Sequence, residues 1–112
     1  MTTQEAFDKV LTEIRGRGYK AAMSPDGLGC VNVDMDGMRC AVALLASSVD
    51  NLTLPDYEVM KETGCSQTLI HALRGAHDFS LGKQKSPWAW ECQMRDIAKK
   101  EDLVYTPPME PL

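Results

Sequence analysis

The first apolar pattern of the chain is a helical one. Phe7, Val10, Leu11 and Ile14 recur at i, i+3, i+4 and i+7, a single stripe along one helix face. Thr2 and Glu5 stand at capping-box spacing before it, and Gly16 and Gly18 follow as stop signals. A helix over residues 3–16 is therefore predicted, its charged positions forming a solvated face. The pattern then breaks at Ser24-Pro25-Asp26-Gly27, a turn sequence that holds no regular element.

Residues 29–47 carry a different pattern: two apolar arms on either side of Asp34-Met35-Asp36-Gly37. This arrangement predicts a short β-hairpin, in one of two registers. A type I turn closed by a Gly bulge sets Asp34 opposite Met38; a two-residue turn centred on Asp36 and Gly37 shifts the pairing by one. The second arm runs into residues 40–46, the longest apolar run of the chain. Periodicity does not separate strand from helix over so few positions, but three Ala and two Leu favour a helix. The expectation is a short hairpin followed by a buried helix over residues 40–47.

Beyond the loop at 47–51, Pro55 suits a first helical turn and Asp56 and Glu58 suit its positive end, predicting a short helix that stops at Thr63 and Gly64. Ser66 caps another, with Leu69, Ile70 and Leu73 inward. Residues 79–85 read as a basic loop. Ser86 and Pro87 open the last helix, to about residue 100, with Trp90, Met94, Ile97 and Ala98 on its inner stripe. Trp88 lies about 160° around the helix from Trp90 and falls outside that stripe. The Pro-rich tail over 104–112 is expected to be extended. The predicted fold class is mainly α (α+β): four to five helices with one short β-hairpin, in one compact domain spanning 1–112.

Composition adds little to this picture, and charge adds more. At 112 residues, 44% hydrophobic and 25% charged, the chain is an ordinary globular domain, with seven Met and few aromatics to fill its interior. The net charge of -4 is unevenly spread. Asp34, Asp36, Asp50, Asp56, Glu58 and Glu62 face only Arg39 and Lys61 over residues 31–63, whereas residues 74–100 are basic on balance. The basic part lacks a dense Lys/Arg run with interleaved aromatics, so direct nucleic-acid binding is not expected. No stretch approaches the roughly 18 apolar residues of a membrane span, and the polar start is unlike a secretory signal. With Cys30, Cys40, Cys65 and Cys92 showing no Cys-x-x-Cys spacing, reduced thiols and a cytoplasmic location are expected.

Three sets of residues carry candidate chemistry. Cys40 or Cys30 with His77 and Asp78 could form a thiol–imidazole–carboxylate site if the fold brings them within hydrogen-bond reach. The plainer reading makes the cysteines small core hydrophobes and His77 a partner of a backbone group. Cys30, Cys40, His71 and His77 could ligate zinc, but compact ligand pairs are missing, and His71 and His77 are six positions apart. No metal or cofactor is expected. Trp88, Met35 and Met38 fit nowhere inside the predicted core, and with Asp56 and Glu58 in the acidic loop they make a candidate partner surface.

Several phrases in order also resemble a family of small phage and prophage proteins. They are Gln4-Glu5-Ala6-Phe7-Asp8-Lys9-Val10, Asp36-Gly37-Met38-Arg39-Cys40-Ala41-Val42, Leu54-Pro55-Asp56-Tyr57-Glu58-Val59-Met60 and Ala72-Leu73-Arg74-Gly75-Ala76-His77-Asp78, ending on a helix with Trp90 and Met94-Arg95-Asp96-Ile97-Ala98. The resemblance spans residues 4–103 but departs at Ala43, where that family has Gly. It implies an accessory protein of the host cytoplasm and supplies no reaction. The expected function is thus protein–protein binding to a host or phage protein, a basic nucleic-acid-binding one for instance, as in an inhibitor of a defence system such as CRISPR. The alternatives are a thiol- or metal-dependent enzyme built on Cys40, His77 and Asp78, and a nucleic-acid-associated regulator using Lys83, Lys85, Arg95 and Lys99.

Overall fold

Capping chemistry sets where each helix begins. In the computed structural model, which describes residues 1–109, the Thr2 hydroxyl accepts the Glu5 amide (3.1 Å) while the Glu5 carboxylate accepts the Thr2 amide (2.8 Å), a reciprocal cap that opens α1 (Thr3–Gly16). Pro55 precedes α2 (Asp56–Thr63), which closes on Gly64 at φ +74°. Ser66 accepts the Leu69 amide at the head of α3 (Gln67–Gly75), and Ser86 accepts the Ala89 amide at the head of α4 (Pro87–Lys100).

The stretch expected as a basic loop is helical instead. Gly75 keeps right-handed angles (φ -60°, ψ -42°) and does not stop the chain, which continues as a π-helical segment, Ala76–Lys83. Its wider turns bring Ala76, His77, Ser80, Leu81 and Gly82 into the interior. This segment packs against both α3 and α4, while α1 packs on the mid-chain apolar run. Trp90, Phe7, Ile14, Leu69, Ile70, Leu73 and Met94 are the bulk of the core.

The β-hairpin does not form. Among the described residues there are only two isolated antiparallel bridges, Met23 with Cys30 and Val33 with Arg39. The turn itself closes with Asp34 opposite Met38: the Gly37 amide donates to Asp34 O (3.1 Å), the Asp34 amide to Met38 O (2.9 Å), and Gly37 takes φ +82°. Pairing ends after the Cys40 amide reaches Asn32 O (2.9 Å), because the next residues coil at once. The Leu44 amide donates back to Cys40 O (3.0 Å), and Ala43–Leu45 forms a single 3-10 turn. The helix predicted over 40–47 is reduced to that turn, although Cys40, Ala41, Val42, Ala43, Leu45 and Ala46 are all buried. The second arm therefore has too few residues left to build a ladder.

The molecule is one mainly helical globule. Its radius of gyration, 13.0 Å, is the value of about 13 Å expected for a single domain of this length. Among the described residues no helix is long and apolar enough to cross a membrane. Of the expected tail, positions 110–112 lie outside the described residues; residues 103–106 are bound down on α1 and α4.

Candidate functional site

The π-helical segment brings Cys30, His77 and Asp78 together, with one potential ligand atom from each within 4.8 Å of the others. His77 is fully buried and both its ring nitrogens are engaged. Nε2 accepts the Ala22 amide at 3.1 Å, and Nδ1 stands 2.7 Å from Asp78 Oδ1. A backbone N–H can only donate, so Nε2 carries no proton; the proton sits on Nδ1 and is donated to Asp78. The ring is a neutral structural bridge with no free nitrogen. A cation at this cluster would have to take Nδ1 and push the proton onto Nε2, against the Ala22 N–H. The three groups as arranged do not fit a metal.

The thiols fit catalysis no better. Burial, reinforced by the charge of Asp78, pushes the Cys30 thiol up to about 12, and its Sγ rests 3.6 Å from Met23 Sδ. Gly82 is packed against it: a Cβ there would lie 2.5 Å from Cys30 Sγ. Cys40 is also raised by burial, and its Sγ accepts the Ala43 amide at 3.4 Å. Cys30, Cys40, Arg74 and Asp78 share the wall of a cavity of about 300 Å³, but Cys40 does not belong to the 4.8 Å group. His71 is elsewhere, exposed and 3.9 Å from Asp56. All four cysteines are free thiols.

A buried polar cluster centres on Glu91, a residue that the sequence did not single out. Only 4% exposed, its carboxylate accepts two bonds from Arg15 (2.8 Å each), one from the Tyr19 hydroxyl (2.9 Å) and one from the Tyr105 hydroxyl (2.6 Å). Burial alone would raise its pKa, but the bonds from Arg15, Tyr105 and Tyr19 outweigh it and hold the carboxyl below its ordinary value. Tyr19 joins the cluster from a left-handed backbone (φ +62°), and its ring meets Trp90 edge-on at 5.7 Å. A signal was available: 91, 94 and 98 share the helical spacing of the buried stripe, so Glu91 stands in an apolar face rather than beside it.

The candidate partner residues are distributed as follows. Trp88 is 67% exposed at the head of α4, and Met35 is 82% exposed at the turn, while Met38 is half-buried. Asp56 is held by the Arg74 guanidinium in a two-point pair, which lowers its pKa, and Glu58 accepts the Ser47 hydroxyl. A further exposed set lies on the loop before α2 and in its first turn: Leu52 at 93%, Leu54 at 68% and Tyr57 at 77%.

The loop presenting Leu52 is fixed by side chains. Asn51 exchanges two bonds with the Val33 backbone, accepting its N–H (3.1 Å) and donating to its carbonyl (2.8 Å), so that one side-chain amide stands in for a neighbouring strand. Asn32 Nδ2 donates to Asp50 O and Thr53 O, both at 3.0 Å. Asp50 Oδ1 collects the amides of Leu52 (2.9 Å) and Thr53 (3.1 Å) and the Thr53 hydroxyl (3.2 Å).

Comparison of the chain with protein families, with curated proteins and with solved structures gives no match.

Proposed function

We propose that this protein acts by binding another protein, through apolar side chains held out on fixed backbone. The observation that supports this reading best is Leu52: nearly its whole side chain faces solvent on a loop already ordered by seven side-chain hydrogen bonds. An exposed leucine contributes nothing to folding there, and docking it requires little further ordering of the loop. Trp88, Met35, Tyr57 and Leu54 add contact area of the kind that anchors interfaces. The thiol–imidazole set, by contrast, offers neither a free base nor an accessible thiolate. On the phage resemblance in the sequence, the partner to try first is a basic, nucleic-acid-binding complex of bacterial defence, such as a CRISPR effector, which the protein would inhibit.

The test is capture from bacterial lysate by the tagged protein, run beside Leu52→Asp and Trp88→Ala. One dominant protein retained by the wild type and lost with either variant, at unchanged melting temperature, supports the reading. Nucleic acid as the dominant retained species would favour the regulator instead. If nothing is retained and Cys40→Ala removes the biological effect without unfolding the chain, the binding reading falls.

A further inference from the structure

A groove of about 400 Å³ runs beside the fixed loop, between it and the start of α2. Its walls are the apolar surfaces of Val49, Leu54, Pro55 and Tyr57, and two carboxylates, Asp50 and Glu58, stand in its lining. No lysine, arginine or histidine lines it, and among the described residues neither carboxylate has a cation within 4.0 Å. Asp50 binds its own loop through Oδ1 alone and Glu58 binds Ser47 through Oε1 alone, which leaves one oxygen of each without a partner.

We propose that this groove takes an arginine side chain from a basic segment of the protein partner, so the inference rests on the binding function above. Two carboxylates and an exposed tyrosine ring lining one groove supply what a guanidinium uses: acceptors for its N–H groups and an aromatic face for its own flat one. The apolar walls suit the aliphatic stem of the same side chain. The volume is at the small end of ligand sites, which fits one long side chain and its neighbours better than a cofactor. A lysine satisfies the charge but not the planar fork, and it binds more weakly here.

A capped peptide, acetyl-Gly-Arg-Gly-amide, tests this without any knowledge of the partner. Titrated into the isotopically labelled protein, it should give saturable amide shifts confined to residues 48–58. The citrulline peptide, which has the same shape without the charge, should give none. Asp50→Asn with Glu58→Gln keeps the acceptors that the loop and Ser47 use, so it should leave the spectrum native and weaken the arginine peptide by about tenfold or more. The lysine peptide should bind detectably less well than arginine, and raised salt should weaken both. Equal shifts from the arginine and citrulline peptides, shifts scattered over the acidic surface, or undiminished binding by the double variant would each overturn the proposal. If that happens while Leu52→Asp still abolishes capture of the partner, the binding function stands and only the groove's occupant is wrong.

Discussion

Glu91 shows how one side chain can be both the least expected and the most constrained. A carboxylate this buried is tolerated only because four donors surround it, and removing it leaves Arg15 half-buried with its counter-charge gone. Glu91→Ala is expected to cost about 3–5 kcal/mol, read as a shift of the denaturant midpoint at constant slope. Replacing both partners with apolar residues (Glu91→Leu with Arg15→Met) should recover much of that loss, since no charge is then stranded. A double variant no better than Glu91→Ala would mean that the network, rather than the stranded arginine, carries the cost. Gly82 poses a steric question at the same scale. A methyl there meets Cys30 Sγ at 2.5 Å, so Gly82→Ala should destabilise by about 1–3 kcal/mol through overpacking. Adding Cys30→Ala removes the obstructing sulfur and should return most of it; an unrescued Gly82→Ala would place the clash elsewhere.

At the scale of elements, the sequence was legible wherever the signal was local. The capping box at Thr2 and Glu5, the stripe at Phe7, Val10, Leu11 and Ile14 and the following glycines give α1 its observed limits, and Ser86 with Pro87 does the same for the start of α4. What could not be read depended on contacts distant in sequence. Gly75 looks like a helix end, yet the burial of His77 and Leu81 carries the chain through it into the π-helical segment. The hairpin fails because residues 40–46 coil, and because the free edge of Val33 is taken by the Asn51 side chain rather than by backbone. That edge gives a direct prediction. Asn51→Ala removes both bonds and should cost about 1–2 kcal/mol, with faster amide exchange at Val33, Leu52 and Thr53 and little change in α3 or α4. If exchange stays slow in the loop, Asn32 and Asp50 suffice to hold it. The candidate site was legible to the same limited degree: Cys30, His77 and Asp78 do converge, but the Ala22 amide that closes the imidazole belongs to an irregular segment 55 positions away.

Over the whole molecule, α1 and residues 103–106 are tied together across α4, and this makes stability respond to pH on both sides. Gln4 exchanges bonds with the Val104 backbone (2.8 and 3.0 Å), Arg15 Nη2 reaches Thr106 O (2.8 Å), and Tyr105 lies under the Arg15 guanidinium with its hydroxyl on Glu91. Glu91 has its folded pKa below the ordinary 4.5, and Asp56 lies below 3.8 through Arg74, so both contribute stability that is complete above those values and is lost as pH falls through the lowered ones. The tyrosines act in the opposite direction. Burial and then the Glu91 charge push Tyr105 up to about 12, and Tyr19 is raised for the same reasons. Both contributions are complete below pH 10; that of Tyr105 disappears as pH rises through about 12, and that of Tyr19 as pH rises through its own raised value. A chain ending at Leu103 loses Tyr105 and its bond to Glu91, and should be less stable at neutral pH by about 2–4 kcal/mol. A chain ending at Thr106 keeps every one of these contacts and should be nearly unchanged. The alkaline limb distinguishes this network from simple loss of packing: between pH 10 and 12 the Leu103-terminated chain should lose stability less steeply than the full chain, because one of the two raised tyrosines is gone. Denaturant midpoints measured across pH 3–12 for the three lengths test this. Parallel alkaline limbs for the full and Leu103-terminated chains would show that Tyr105 titrates as an ordinary exposed phenol and that the strap is held by packing alone.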